Sequence, residues 1–505
     1  MKKPLPLLLL LFSLTNSVYS TNYYVSNTGN NSNTGLTLPL AWVTLQYAAN
    51  NVVPGDCVLV ANGTYAGCYI SASGTSGNPI VFKALGSSAT INQPNATTND
   101  GINVEGCDWI VIDGFRVINQ PRTGIRVVLA DNCVVRNNFC DNNSRWGILT
   151  GFAENIIIEY NECSNSQIEH GIYFSNSADN PIIRYNKSHH NNACGIHMNG
   201  DISLGGDGII SNARVEGNII YENGTNGGSG INCDGVQNSL FMNNLLYNNH
   251  ASGISLYMID GGAGAKNNKV YNNTIINASN ARWCVNIADG STGNAVFNNI
   301  LINLHPTRGS ITIDAASLSG FTSNNNIVAN RFSNDGDNTT ITLAQWQAAG
   351  GYDSNSVLAA TQTSIFVNPT AFDYHLLTGS QAINAGSSSV SVSVINDLDL
   401  NIRPQGSGYD IGCYEFLQTN VISEMDLNAS VSIFPNPFST SAVLRITNYS
   451  GLRIADIKLF DVVGKKIHPE IIRNSDSFVI SSGELPNGIY FLKIGNTTKK
   501  IVVNK

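Results

Sequence analysis

Between Asp100 and Pro306 the chain is written in short runs of alternating apolar and polar residues. Examples are Gly171-Ile172-Tyr173-Phe174 and Pro181-Ile182-Ile183-Arg184-Tyr185, parted by clusters of Asn, Asp, Gly and Ser. A period of two marks half-buried strands, and the polar clusters mark turns. Two letters keep time along this stretch. A Gly-Ile pair returns at Gly101, Gly124, Gly147, Gly171, Gly195, Gly230 and Gly253, and its first four steps are 23, 23, 24 and 24 residues. Out of phase with it, an Asn follows a short β-branched run at Asn138, Asn161, Asn186, Asn218, Asn244, Asn273, Asn299 and Asn326. Two markers sharing one period mean one structural unit copied many times. Roughly 23 residues, at about 3.3 Å per strand residue, go once around a three-sided prism. The pattern therefore predicts an all-β solenoid of parallel strands stacked coil on coil. Leucine-rich repeats have a similar period, but their Leu-x-x-Leu-x-Leu frame is missing. The recurring Asn predicts a ladder of side-chain amides that holds the fold and is not a site.

The flanks set the organisation. Tyr23-Tyr24-Val25-Ser26 alternates like a strand, and Trp42 to Asn51 has a short amphipathic helical pattern with Trp42, Leu45 and Ala49 on one face. Pro54-Gly55-Asp56 precedes Cys57-Val58-Leu59-Val60. Together, YYVSNTGNNSNTG and LQYAANNVVPGDCVLVANGTY resemble the opening of exported right-handed parallel β-helix proteins, among them several polysaccharide lyase families. The resemblance implies that the short helix caps the open end of the solenoid, as an exposed terminal cross-section requires. After Asn326 the repeat degrades; Ile341 to Ala349 reads as a short helix, and Ile383-Asn384-Ala385-Gly386 starts an ending element. Asp397-Leu398-Asp399, Arg403-Pro404 and Asp410 to Phe416 resemble the closing motif of the same group, a structural element.

Beyond a polar linker lies a separate β-rich unit, which the pattern predicts as a small β-sandwich. Phe434-Pro435-Asn436-Pro437-Phe438, Ile457 to Asp461 with Gly464-Lys465, and Leu485 to Ile494 occur in order before a basic tail. This is similar over its whole length to the C-terminal sorting domain of the type IX secretion system of Bacteroidetes. That implies a partner in the secretion machinery and an extracellular or surface-attached product. At the other end, Lys2 and Lys3, Leu5 to Leu14 and Val18-Tyr19-Ser20 read as a signal peptide. The expected boundaries are thus 1–20 signal peptide, 21–99 cap and first coils, 100–330 repeats, 331–416 last coils and closing motif, 417–428 linker and 429–505 sorting domain.

Composition narrows the function. Charged residues are only 12%, Gly numbers 47, and the net charge is -8. Tight turns suit that composition better than long helices do, and the acidic balance argues against nucleic acid as partner. No stretch after the signal peptide is apolar enough to span a bilayer. The ten Cys permit disulfides in an exported chain; Cys57 and Cys68 could bridge, while Cys140 and Cys163 would stack in neighbouring coils as buried apolar fillers. A monomer is expected.

Candidate chemistry sits where the rhythm changes. With each repeat Ile pointing inward, the outward stripe reads Asn103/Glu105, Arg126/Val128, Leu149/Gly151, Tyr173/Ser175, His197/Asn199, Asn232/Asp234 and Ser255/Tyr257, preceded by Arg122, Arg145-Trp146 and Glu169-His170. Sugar rings stack on Tyr and Trp, and their hydroxyls pair with Asn, Asp, Arg and His. Arg122, Arg126, Trp146, Tyr173, Asn199 and Asn232 are the candidate polysaccharide-binding residues. His197, Asp234, Tyr257, His170 and Arg145 are the catalytic candidates. Two insertions, Asn199 to Gly208 and Met258 to Lys266, emerge at the same turn on either side of Asp234, and inserted loops usually rim a binding face. They would gather Asp201, Asp207, Asp234 and Asp260, a possible calcium site or a set of turn-forming acids.

Three functional readings follow. The first is a polysaccharide lyase acting on a uronate-containing glycan, needing charge neutralisation at the carboxylate and a base at C5. The stripe holds Arg but no Lys, where β-helix lyase families commonly use Lys or Arg as base; His170 or His197 with Tyr173 or Tyr257 are the alternative base and acid. Hydrolysis would need a carboxylate pair, for which Asp201 and Asp234 are the candidates. The second reading is a non-catalytic glycan-binding or adhesin-like surface solenoid, and the third a structural solenoid. A groove between the two inserted loops holding Arg, His and a carboxylate would favour the enzyme.

Overall fold

In the computed structural model the described residues are 20–417, 431–446 and 457–505, apart from 463, 468, 470, 474–476, 484 and 495–496. Residues 1–19 of the expected signal peptide and 418–428 of the expected linker lie outside them. The chain divides into two compact units, the first ending at Leu398 and including Gly406–Phe416, the second comprising Asp399–Gln405 and the chain from Leu417 on.

The first unit is a parallel β-helix. One coil shows the plan: Ile110–Asp113 joins the first sheet, Arg116–Ile118 the second and Thr123–Val128 the third. Among the described residues these sheets carry twelve, twelve and eleven strands. Neighbouring coils pair in parallel and in register, so that Ile102, Ile125, Ile148, Ile172, Ile196, Ile231 and Ile254 form one buried column. The Gly before each Ile has a steric cause. A Cβ on Gly124 would stand 2.5 Å from the Gly147 carbonyl oxygen, and one on Gly147 would stand 2.7 Å from that of Gly171. No side chain fits where coils approach this closely.

The turn from the first sheet to the second is held by the expected Asn ladder. The Asn186 backbone N–H and its Nδ2 both donate to Asn218 Oδ1 at 3.0 Å, and Asn218 repeats both bonds to Asn244 Oδ1 at 3.0 Å. The pattern runs unbroken from Asn138 to Asn326. The residue before each ladder Asn takes a left-handed conformation, with φ of 56° at Asn137 and 54° at Asn243, a turn that Asn accepts more readily than most residues. A second ladder, through Asn143, Asn191, Asn223 and Asn249, holds the next corner. It was hidden in sequence because Ser166 interrupts it and its letters match ordinary turn composition.

Both ends of the core are plugged. At the start, α1 (Leu45–Asn51) is capped by Thr44, whose side chain accepts from the Tyr47 N–H, and it buries Leu45, Ala48 and Ala49; Trp42 stacks on Tyr23 at 4.5 Å. At the other end, α2 (Leu343–Gly350) opens with a capping box of Thr342 and Gln345, and its buried Trp346 stacks on Phe332 at 5.1 Å. The chain then doubles back along the outside of the second sheet, where Phe366, Tyr374, Ile411 and Cys413 pack on Leu245, Ile276 and Ile300. The closing motif is structural, as expected: Asp410 accepts from the Asn384 N–H at 2.6 Å and Asp397 from the Glu415 N–H at 2.9 Å.

All ten cysteines are free thiols and nine are buried. Cys57 and Cys68, which the sequence allows to bridge, do not, because Cys57 lies on the first sheet and Cys68 opens the third. Cys140 and Cys163 do stack in register. Among the described residues the second unit is a pair of four-stranded antiparallel sheets sharing a core that includes Phe438, Leu444, Leu459, Ile480, Tyr490 and Leu492. Its motif residues are ties. Asn436 Nδ2 donates to the Lys500 carbonyl at 2.9 Å and Asn436 Oδ1 accepts from the Val502 N–H at 2.8 Å.

Asn218→Ala would strand the Asn186 backbone N–H in a dry corner and take a donor from the Ile183 and Glu216 carbonyls, while Asn244 keeps the residue 218 backbone N–H. It should cost about 3 kcal/mol, since each buried orphan costs roughly 1–3 kcal/mol. Exposed Gln167→Ala should stay within about 0.5 kcal/mol. Denaturant unfolding of both variants checks this.

Candidate glycan-binding face and cleft

The third sheet displays the outward stripe. Register places Tyr173 beside His197, His197 beside Asn232 and Asn232 beside Ser255, with Asn199, Asp234 and Tyr257 along the neighbouring row. The expected residues therefore share one face, but they divide into three groups with different chemistry.

In the early coils the arginines are already partnered. Arg122 donates to both oxygens of buried Asp100, at 2.9 and 2.5 Å. Arg126 donates to Asn103 Oδ1 at 2.9 Å and to Glu105 Oε2 at 2.6 Å. Despite burial, these bonds hold the Asp100 and Glu105 carboxyls below the usual range. Both guanidiniums stitch coils together.

In the middle coils the rings pack into one cluster. Trp146 stacks on Tyr173 at 5.6 Å, Tyr173 on His197 at 5.0 Å, and His170 meets His197 edge-on at 4.6 Å. Arg145 pairs with Glu169 at 3.2 Å and lies 5.4 Å from the Trp146 ring. The hydrogen bonds fix the protons. The Cys194 backbone N–H is 3.1 Å from His170 Nδ1, which must therefore be the acceptor. His170 then carries its proton on Nε2 and donates it to His197 Nδ1 at 3.0 Å. The remaining His197 proton sits on Nε2, a buried atom with no partner among the described residues. Burial, reinforced by the neighbouring His197, holds His170 well below its ordinary range; burial alone brings His197 down to about 4. His170, Cys194 and His197 bring donor atoms within 4.8 Å of one another. A cation on His170 Nε2 would nevertheless force its proton to Nδ1, against the Cys194 N–H. The present hydrogen bonding is that of a neutral pair and opposes a metal cage.

The inserted loops bear on three readings of the sequence. Asp234 is buried, with Oδ1 accepting from the backbone N–H groups of Ile259 and Gly261 at 2.9 and 3.0 Å and Oδ2 from Asp260 at 2.8 Å. Its carboxylate anchors a loop and is not free for catalysis or metal. Asp201 is occupied by Ser203, Asp207 by the Ile209 N–H, and Asp260 lies 3.4 Å from Asn199 Nδ2. No three of these carboxylates bring oxygens within 4.8 Å of one another; of the two alternatives, their contacts are those of turn-forming acids. Nor is there a groove between the loops. Gly262 N–H donates to the Gly208 carbonyl at 2.8 Å and Ile202 N–H to that of Asp260 at 2.9 Å. A Cβ on Gly262 would stand 2.1 Å from the Asp207 carbonyl oxygen. The glycines let two backbones touch, and the loops fuse into one rim.

The concavity lies one side of that rim. A cleft of about 460 Å³ is lined by Asn232, Ser255, Tyr257, Ile259, Arg282, Trp283, Asn286, Asp289, Arg308 and Asp337, among others. Asn232 Nδ2 donates to the Tyr257 hydroxyl oxygen at 2.6 Å, leaving the Tyr257 proton to point elsewhere. Burial, with Asp234 nearby, pushes the Tyr257 phenol far up. Trp283 Nε1 donates to Asp337 Oδ1 at 2.8 Å and Arg308 pairs with Asp337 Oδ2 at 3.0 Å. Arg282 is exposed and makes no ion pair among the described residues. Asn232 and Tyr257 were read from sequence. Ser255 stood in the same stripe, but the residues from Arg282 on were missed because the Gly-Ile marker lapses into Cys284-Val285 and Ser310-Ile311; in the structure Ser255 pairs in register with Asn286.

Residues 49–253 match the family described as periplasmic copper-binding protein (NosD), and residues 432–505 match the secretion system C-terminal sorting domain. Among solved structures, pectate lyase Pel9A is similar at a TM-score of 0.56 and 17% identity, over 79% of this chain and 97% of that one. An alginate lyase from Paenibacillus sp. str. FPU-7 gives 0.45 and 21%, over 53% and 94%. A rhamnogalacturonan lyase gives 0.47 and 14%, over 68% and 90%. No curated protein matches. At these identities the likeness is one of fold. The chain is a parallel β-helix solenoid protein. It carries a C-terminal sorting domain that directs type IX secretion to the cell surface or beyond. No helix among the described residues is long and apolar enough to cross a membrane.

His197 gives a signed pH effect. Its folded value lies below the unfolded one, so the stability it confers is complete above about pH 6.5 and fades as pH falls toward 4. His197→Gln, which keeps an acceptor for His170, should remove up to about 3 kcal/mol of acid sensitivity. Unfolding midpoints of parent and variant at pH 7 and pH 4 measure the difference.

Proposed function

We propose that this protein is an exported polysaccharide lyase, acting on a uronate-containing glycan held in the Tyr257–Arg282–Asp289 cleft. The observation that carries the reading is an unpaired guanidinium, Arg282, sharing a cleft with the available proton of Tyr257 and an aromatic wall, Trp283. Arg282 would neutralise the uronate carboxylate and so acidify the proton at C5. Asp289, an exposed residue, takes that proton; partial desolvation first, then Asp314 and Asp234, raise its carboxyl above the ordinary range and make it a stronger base than an isolated carboxylate. The C4–O bond breaks, a C4–C5 double bond forms, and the leaving oxygen collects the Tyr257 proton. The upward shift of Tyr257 keeps it protonated until then. Trp146 and Tyr173 extend the binding face toward the N-terminus, buried Asn199 donates to the Tyr173 hydroxyl at 3.3 Å, and Arg145 flanks the face. His170 and His197 support that face as a neutral pair. Residues 1–20 act as a removable export signal, and 429–505 as a sorting domain shed or exchanged at the surface.

A second reading, glycan binding without cleavage, is favoured by Arg122 and Arg126 being consumed in ion pairs. One experiment separates the two. The protein is incubated with galacturonan, alginate and chondroitin, followed by ultraviolet absorbance of unsaturated uronate and by affinity electrophoresis. Elimination predicts product that falls at least about 100-fold in Tyr257→Phe and Asp289→Asn while binding persists, and weakened binding in Arg282→Ala. The acid limb of activity should lie above the usual carboxylate range and vanish with Asp289→Asn. Binding without product on every polymer would leave the adhesin-like reading standing.

A further inference from the structure

The charge and apolar surface of the cleft narrow the glycan it accepts, given the lyase reading above. Of its two arginines, Arg308 is neutralised by Asp337 at 3.0 Å, which leaves Arg282 as the one without an ion pair among the described residues. Around it the field is negative. Asp289 feels the carboxylates of Asp314 and Asp234, both raising its proton affinity, and Asp260 stands exposed on the rim. The whole chain adds a net charge of -8. A polymer with a carboxylate on every sugar would place one on Arg282 and its neighbours against these acids, where like charges repel.

The rim offers those neighbours something else. Ile202, Leu204, Met258 and Ile259 are 53%, 60%, 37% and 76% exposed. They sit on the two loops fused through the Ile202 to Asp260 backbone bond. Ile259 also lines the cleft. Isolated exposed aliphatics are ordinary, but four on one fused rim beside a cleft form an apolar patch that needs a partner. Sugar hydroxyls alone do not supply one; methyl or other ester groups on masked uronates do.

We infer that the cleft is built for a uronan whose carboxylates are mostly esterified, with one free uronate on Arg282 and ester groups of the adjoining sugars against the Ile259 rim.

The test compares matched polymers: galacturonan in de-esterified and highly methyl-esterified forms, and alginate beside its propylene glycol ester. Affinity electrophoresis gives binding, and unsaturated-product absorbance gives cleavage. Within one backbone the esterified form should bind and react about tenfold better. Raising salt should improve binding of the de-esterified form by screening repulsion, the reverse of attraction to a basic groove. Ile259→Ser, on an exposed loop, should collapse the preference from the esterified side, and Asp260→Asn should narrow it from the other. Equal or better use of the de-esterified polymers overturns this inference while leaving elimination intact. A preference seen in binding with no product from any polymer overturns elimination and keeps the preference. Failure of every polymer to bind overturns both.

Discussion

Everything in the solenoid depends on one spacing, the distance at which neighbouring parallel strands hydrogen-bond, about 4.8 Å. Each coil must arrive at that distance from the last on all three sheets and at every corner. Buried backbone amides at the corners have no water to turn to, so each needs a partner that repeats at the same interval. The Asn side chain provides one: its oxygen accepts two bonds from the coil before while its nitrogen donates to the coil after. Gly meets the same constraint where no side chain fits between the Gly124 and Gly147 backbones. The repeat letters are thus residues selected by distance.

That constraint also says where function can vary. Inward positions are fixed by packing, and the corners by amides. The exposed stripes and the insertions at one corner are left. Two of the three outer faces are partly committed: the returning chain packs on the second sheet through Tyr374 and Ile411, and on the first through Val390 and Val394. The third sheet keeps its cleft open, and both insertions rise at its edge. Fold and site are therefore linked by topology, because the loops that interrupt the period shape the wall of the concavity.

The sequence made the solenoid legible because its constraint is periodic, and periodic demands leave periodic letters. Gly-Ile, the first Asn ladder, the capping helix and the sorting-domain motifs could all be read in that way. The site was legible only as a face. Alternation placed Tyr173, His197, Asn232 and Tyr257 outward correctly, yet it could not say which charges were already spent. Asp234 looked free in the stripe, but its partners are backbone N–H groups of a loop 25 to 27 residues on, and backbone donors have no letter. Arg122 and Arg126 looked available for the same reason; Asp100, Asn103 and Glu105 belong to the coil before. The cleft lay past the last Gly-Ile, where Trp283 and Arg282 stand without a marker.

The hydrogen-bonded His pair shows how such spending sorts chemistry across one surface. A His in a cleft invites the role of base, and a His-Cys-His group invites a metal. Here the Cys194 N–H fixes the tautomer of His170, which fixes that of His197, and burial keeps both neutral. A base must accept a proton, but His170 Nδ1 and His197 Nδ1 already do. What remains is a rigid aromatic shelf with Trp146 and Tyr173, suited to lying under a sugar and unsuited to attacking one. Two coils further along, Tyr257 has its lone pair held by Asn232, and Arg282 makes no ion pair among the described residues. Along a surface of repeated geometry, the sites with unspent hydrogen-bonding and charge capacity are those where reaction can occur.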